Sequence, residues 1–381
     1  MAERIYGDRE LELLRQVLRS GKLGALNGQF TPKFEEEFAR MVGTKYAVAM
    51  NSAMSVLHAS VISAGAGAGS EVICDPVFIF GPMVALYNNS IPRFVDINPT
   101  THTLDPDKLE EAISERTKAI IVTHAWGLPA EMDRIVEIAH RHNLLVIEDC
   151  AHAILATYKG RFTGSWGDVG SFSFQASKQM SLGDGGMATT NDEELAKKLD
   201  LHAGAPTFHS IGHGLHYNYR MNELTSAVGL AQLERLPELV NGLRKNAKYY
   251  DEAIADCKWL KLQSAPDASS TYHYWAATFE GEDFGISLAQ FKKALKEAGL
   301  LISVGYTQMP AYKHPVIKER LAHAIHCRNY KGEIDYADGL CRVAERVIPR
   351  MVLAYTLKPQ QKAKEEAEKF QQLIEQLDRG D

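Results

Sequence analysis

The sequence predicts an α/β chain: a mostly parallel sheet held between helices, with a smaller C-terminal α+β domain. Three observations carry this. Between residues 45 and 149, short fully apolar runs alternate with amphipathic segments, and such strands separated by helices imply a parallel sheet covered on both faces. After residue 190 the alternation stops, and a long helical region begins near Asn222. Beyond about residue 245 strands and helices mix, which divides the chain into a large domain over 1–245, with an N-terminal helical arm, and a small one over 246–381. With 381 residues, 45% of them hydrophobic, there is ample material for both cores.

In chain order, amphipathic helices are expected near 8–19 and 33–42. KYAVAM (45–50) reads as a short buried strand and SAMSVLHASVISAG (52–65) as the helix after it. EVICD (71–75) is a strand, FGPMVALYNN a helix and IPRFVD the next strand. DPDKLEEAI is a helix with Asp105 as cap and Pro106 at its first position. KAIIVTH (118–124), MDRIVEIAHRH (132–142) and NLLVIED (143–149) continue strand, helix, strand. NDEELAKKLDLHA is helical, and a loop rich in Gly and His follows. The helical region from Asn222 to Ala255 is expected to break at Pro237, which lacks an N–H and crowds the preceding turn. The remainder offers a strand pair around 271–280, a helix at 288–298, a strand near 300–306 and a charged terminal helix at 358–378.

Ligands of such sheets sit outside the carboxyl ends of the strands. That puts Asp75, Asp96, His124 and Asp149 near the functional edge. A net charge of -6 leaves no electrostatic footprint for nucleic acid. The longest apolar stretch, VICDPVFIFGPMVAL, is too short and too interrupted to span a membrane. The N-terminal stretch is charged and helix-like, without an apolar signal core. Five scattered cysteines with no CxxC pair argue against a zinc ribbon or a disulfide framework and favour a reducing cytoplasm.

Chemistry concentrates in two stretches. VIEDCAHA ends a buried strand on Asp149, and 29 residues later SFSFQASK places one amine, Lys178, before the glycine-rich GDGG (183–186). A strand-end Asp more often caps a turn, and GDGG alone is a hairpin turn. Together they supply what a pyridinium cofactor needs. The amine can form a Schiff base with an aldehyde, and the carboxylate can keep a ring nitrogen protonated. NSAMSVLHA (51–59) fits an ordinary helix cap and equally a phosphate site made of free amides. HYNYRMNEL (216–224) sets Asn218 and Arg220 before a helix, as solvated residues or as ligand contacts. Other signals are weak: GAGAGS is not GxGxxG, no GxxxxGK[ST] or GxSxG occurs, and His209, His213 and His216 lack an acidic partner for a metal.

The ordered set of motifs resembles the DegT-type sugar aminotransferases, fold type I pyridoxal-phosphate (PLP) enzymes with a seven-stranded-type sheet. The resemblance covers nearly the whole chain. It runs through Phe34 to Gly43, Asn51 to Leu57, Arg116 to Ile120, Gly127 to Asp133, Glu148 to Ala153, Gly167 to Phe174, Lys178 to Gly186 and Asn218 to Leu224. It implies that Lys178 is the Schiff-base lysine and Asp149 the pyridinium partner. By the same resemblance His152 approaches the phenolic oxygen and Phe78 stacks on the ring. Ser52, Ala53 and Ser173 hold the phosphate, and Asn218 reaches in from a second subunit of a homodimer. Met54 stands where the family usually has Thr, leaving amides or Ser55 to compensate, and Val77 also replaces a usual Thr. The implied reaction is a ping-pong transfer from glutamate or glutamine to a keto sugar, often nucleotide-linked, or to a keto-cyclitol. Arg220 is a candidate for the donor carboxylate. Loops 205–217 and 306–333, with Tyr306, His314, His323 and His326, are candidates for the acceptor pocket. A sugar dehydratase of the same fold is the competing enzyme, but those proteins carry histidine in place of Lys178. A non-catalytic regulator is the other alternative.

Overall fold

The computed structural model describes residues 4–204, 216–318, 330 and 332–380. His209, His213, His323 and His326 lie outside the described residues. Among those described, the central sheet comprises β1 (Tyr46–Met50), β2 (Glu71–Cys74), β3 (Ile91–Phe94), β4 (Thr117–Thr123), β5 (Leu145–Asp149), β6 (Val169–Ser173) and β7 (Gly186–Thr190). Their spatial order is β1-β7-β6-β5-β4-β2-β3. The pairings from β3 through β2, β4 and β5 to β6 are parallel. β7 alone runs antiparallel to both its neighbours, β1 and β6.

Side-chain alternation shows why the strands had to be apolar throughout. Ile120, Val122 and Val146 face helix α5 (Met132–Arg141) with Met132, Ile135 and Ile138. For the helices before it, α1 is Asp8–Ser20, α2 Phe30–Val42, α3 Ala53–Ser63 and α4 Phe80–Tyr87. Ala119, Ile121 and Ile147 point the other way, among Leu57 and Val61 of α3 and Val84 and Ala85 of α4. A strand covered on both faces has no polar side to show. α6 (Glu193–Ala203) closes the sheet beside α3, through Leu195 and Leu199 against Val48 and Ala188. The expected helix after Asp105 is smaller than predicted: a 3₁₀ turn, Pro106–Lys108, then one turn at Leu109–Ala112.

The expected break at Pro237 does not occur. α7 runs unbroken from Glu223 to Ala253 with Pro237 inside it. An internal proline costs about 3 kcal/mol. Burial on either side offsets that, at about 1.5–3 kcal/mol for each large apolar side chain. Leu233, Leu236, Leu239 and Val240 sit in the core beneath α1 and α2, and Ala247, Tyr250 and Ala253 sit in the C-terminal core. That second core lies on an antiparallel sheet of β8 (Leu260–Leu262), β9 (Tyr274–Phe279), β10 (Ile302–Val304) and β11 (Met351–Tyr355), in the order β8-β9-β11-β10. α8 (Leu288–Glu297) and α9 (Gln360–Arg379) bring Phe291 and Phe370 onto Trp259, Trp275 and Phe279. β7, β8 and β11 had no counterpart in the sequence reading, and the pair expected at 271–280 is one strand, β9. Among the described residues no helix is long and apolar enough to cross a membrane.

One buried carboxylate fixes the entry to α2. Glu223 is 1% exposed, and its oxygens accept the N–H groups of Gln29, Phe30 and Thr31, each at 2.8 Å, and the Thr31 hydroxyl at 2.7 Å. Helix N-termini leave such N–H groups without partners, and here a side chain almost two hundred residues away supplies them. A Cβ at Gly28 would overlap that carboxyl group, so glycine is required there. Glu223→Ala strands the buried N–H groups of Phe30 and Thr31, while the Thr31 hydroxyl keeps Ser226 at 2.8 Å, and should cost about 3 kcal/mol in a urea melt.

Candidate active site

The carboxyl ends of β1, β4, β5 and β6 and the start of β7 open on one cavity of about 480 Å³. Ser52 follows β1 and caps α3, its Oγ accepting the Ser55 N–H at 3.1 Å. Ser55 Oγ in turn donates to Asn51 Oδ1 at 2.6 Å, so this hydroxyl is committed to the turn. The first amides of α3 have no intrahelical acceptor and carry the positive end of the helix dipole. Gly186, the first residue of β7, presses against this turn. A Cβ there would overlap the Ser52 carbonyl and the Ala53 nitrogen. Gly186→Ala should therefore displace the start of α3. We expect at least about a tenfold loss of affinity for an anion bound there, measured by titration.

Asp149 ends β5, level with Thr123 of β4 and Ser171 of β6. It is 4% exposed, and its Oδ1 accepts the Ala151 N–H at 3.0 Å. Burial pushes its carboxyl above the usual range, while the Ala151 bond and the charge of Lys178 draw it back. Lys178 sits on the loop after β6. Its own N–H donates to the Gln175 carbonyl at 2.9 Å, and the Gln175 side chain accepts the Ser177 N–H and hydroxyl at 2.7 Å each. Burial pushes the Lys178 amine down to about 8, against the attraction of Asp149.

An aromatic wall completes the cavity. Asp75 accepts the Val77 and Phe78 N–H groups at 2.9 and 3.4 Å and sets the turn that presents Phe78. Burial lifts the Asp75 carboxyl to about 6. The Phe78 ring meets His152 edge-on at 5.3 Å. His152 is stacked between Trp126 at 5.7 Å and His273, just before β9, at 4.4 Å. Burial holds the His152 imidazole well below the usual histidine range, with Lys178 and His273 adding to the effect, so it is neutral at pH 7. Trp126 is fully buried at φ 62°, in the left-handed region that favours glycine. The next residue, Gly127, has φ 108°, and a Cβ on it would press on the nitrogens of Tyr272 and His273. The glycine is what lets the start of β9 approach His152.

Ser52, Ala53, Phe78, Asp149, His152, Ser173, Lys178 and Tyr306 all line this cavity. Three candidates among the described residues do not. Asn218 is exposed and offers only its carbonyl, to the Asn51 amide at 3.3 Å. Arg220 pairs by its backbone with Met50 and lies against Gly204. His314 is likewise not among the lining residues.

Residues 5–331 match the sequence model of the DegT/DnrJ/EryC1/StrS aminotransferase family. The chain belongs to that family. Among its relatives, GDP-perosamine synthase of Caulobacter vibrioides is 41% identical over 282 residues, covering 72% of this chain and 75% of that one. The L-glutamine:2-deoxy-scyllo-inosose aminotransferase of Streptoalloteichus tenebrarius is 32% identical over 367 residues, 90% of this chain and 86% of that one. Among solved structures, an aminotransferase from Psychrobacter cryohalolentis superimposes with a TM-score of 0.83 at 26% identity, covering 98% of both chains. DesV of S. venezuelae gives 0.83 at 26% identity over 96% of this chain and 94% of that one. The α/β fold expected from the motifs is thus the fold observed, and the protein is an aminotransferase of the DegT/DnrJ/EryC1/StrS family.

Within this aminotransferase the other residues expected at the sheet edge do structural work. Asp96 accepts the N–H groups of Val343 and Ala344 at 2.8 and 2.9 Å, which caps the helix Arg342–Val347. His124 Nδ1 accepts the Ala130 N–H at 3.2 Å, so its Nε2–H donates to Glu148, 3.0 Å away. Glu148 also accepts the N–H groups of Gly164, Trp166 and Gly167 at 2.9, 2.8 and 2.7 Å. His124, Glu148 and Cys150 converge closely enough to suggest a metal, but these bonds already occupy the carboxylate and both ring nitrogens. The sequence reading did not anticipate Thr123, Gln175, Asp184 or Trp126 on the wall, nor His273 behind it. Gln175 and Asp184 lie inside stretches already singled out, SFSFQASK and GDGG, and Thr123 precedes His124 at the sheet edge. His273 left no signal, because it arrives from the bend before β9, more than a hundred residues along the chain from His152.

Proposed function

We propose that the protein uses PLP to move an amino group from glutamate or glutamine to a ketone on a sugar or a cyclitol. The observation that carries this is the pairing, in one cavity, of a half-buried amine with a depressed pKa and a buried carboxylate. The cavity fits the cofactor. The glycine-cleared turn at Ser52 and Ala53 matches a phosphate, with the Ser173 hydroxyl beside it. Asp149 offers a negative charge for a ring nitrogen, Phe78 offers an aromatic face, and His152 has a buried Nδ1 without a partner among the described residues. Bound PLP would supply an aldehyde that captures amines and a ring that accepts electrons from the carbon next to nitrogen.

Lys178 would bond that aldehyde at rest. Once displaced by the donor, the free amine would carry a proton to and from the substrate carbon. Asp149 would hold the ring nitrogen protonated, and the neutral His152 would adjoin the phenolic oxygen. Asn218 is exposed outside its own chain's cavity, which is consistent with service to the site of a second copy in a homodimer. Arg220 is kept as the candidate for the donor carboxylate and Tyr306 for the acceptor. The GDP-perosamine synthase likeness supports a nucleotide-linked keto sugar as acceptor, and the likeness to the scyllo-inosose aminotransferase supports a keto-cyclitol and a glutamine donor. The four described cysteines are free, in keeping with a cytoplasmic location.

Purified protein loaded with PLP should be yellow and should bleach on adding glutamate or glutamine; a chain that stays colourless with PLP overturns the proposal. Only the unprotonated amine can attack the aldehyde. Uptake of PLP by the cofactor-free chain should therefore rise about tenfold per pH unit and level off near pH 8, where an ordinary lysine would still be climbing. GDP-linked keto sugars and keto-cyclitols, presented to the aminated enzyme, would identify the acceptor.

A further inference from the structure

The loop that carries Lys178 is gripped from outside by side chains that the reaction does not use. Gln175, Ala176 and Ser177 are exposed, so little apolar packing restrains them. Instead Arg4 donates to the Ala176 carbonyl at 2.7 Å, Tyr355 to the Ser177 carbonyl at 2.7 Å and Tyr6 to the Ser181 carbonyl at 2.8 Å. All three bonds go to the main chain, on both sides of Lys178. The grip therefore fixes the backbone whatever the loop's side chains do. Its two jaws are themselves anchored. The N-terminal arm is tied to α7, where Gln232 donates to the Ile5 carbonyl at 2.8 Å. Tyr355 ends β11, and its ring meets His273, the residue stacked on His152, at 5.7 Å. On the inner side Gln179 donates to the His152 carbonyl at 2.6 Å.

We infer that Arg4, Tyr6 and Tyr355 are positioning residues that clamp the main chain around Lys178 and keep its amine turned into the cavity toward Asp149. The inference rests on the reading of Lys178 as the amine that bonds the cofactor. A small displacement of a reacting group is enough to lose much of its rate, and the exposed stretch 175–177, unlike the buried Gln179 and Met180 on the other side of Lys178, has little packing of its own to restrain it.

The test uses the full chain with Arg4→Ala, Arg4→Lys, Tyr6→Phe and Tyr355→Phe; the last two remove a single hydroxyl each and leave the ring packing in place. Hydrogen exchange over residues 174–183 of the cofactor-free chain should accelerate about tenfold in Arg4→Ala, Tyr6→Phe and Tyr355→Phe. In the loaded enzyme kcat should fall about tenfold, with KM for the donor within about twofold of wild type. Arg4→Lys, which keeps a donor for the Ala176 carbonyl, should restore both. Unchanged exchange in all variants overturns the clamp, and so does faster exchange with kcat intact. Failure of the functional reading looks different: the wild-type chain takes up no PLP, and the exchange data still decide whether the loop is clamped.

Discussion

Lys178→Ala should give a folded, colourless protein whose transamination is reduced at least about 10⁴-fold, the upper end of what a positioned acid–base group contributes. The substitution removes both the bond to the cofactor aldehyde and the proton carrier, and no other lysine lines the described cavity. The loss should not come from unfolding. The amine's folded pKa, about 8, lies below its ordinary value, so at pH 7 it is protonated in both states and burial disfavours it in the folded one. Removing it should leave Tm unchanged or raise it. A variant that keeps a hundredth of the activity, or that loses its Tm, would contradict the assignment.

Asp149→Asn should lower kcat about 10²–10³-fold, the range found when one preorganised charge or donor is withdrawn from a site. The amide is close in shape, and its oxygen can still accept the Ala151 N–H. Burial penalises the charged form of Asp149, so neutralising it should not destabilise the fold. A second effect follows from the pairing. Asp149 is the group that holds the Lys178 pKa up against desolvation, so its loss should move the amine further below 8. The plateau in PLP uptake should then begin at lower pH than in wild type. A plateau that stays in place would mean the two groups do not interact.

The parallel half of the sheet was legible because burial on two faces leaves no polar positions: IIV in β4 and LVI in β5 can hardly be read otherwise. β7, GMATT, was missed because its burial comes from its neighbours, not from its own hydrophobicity. β11 was missed beside the helix Arg342–Val347, and Pro237 misled because propensity is local whereas the two cores that hold α7 are not. In the site, Lys178 and Asp149 stood out because one cofactor chemistry needs both. Asp75, Asp96 and His124 were rightly expected at the sheet edge, yet their bonds go mainly to main-chain N–H groups, with the Thr123 side chain also on Asp75 and a buried carboxylate on His124. Topology says where a residue lies, not what it does there. Glu223 shows the converse: part of a functional-looking motif, it works as a remote cap.

The unbroken α7 also bears on how the molecule can move. It is a rod sunk at both ends, with Asn246 further tied to the Thr356 and Lys358 carbonyls at 2.9 and 2.8 Å. A rod of this kind does not swing. The C-terminal lobe can slide or twist against the sheet by small amounts, in the manner of shear, but it has no free pivot at its border. Among the described residues, a change in the outline of the cavity would thus come from small sliding on either side of α7 and not from rotation about it.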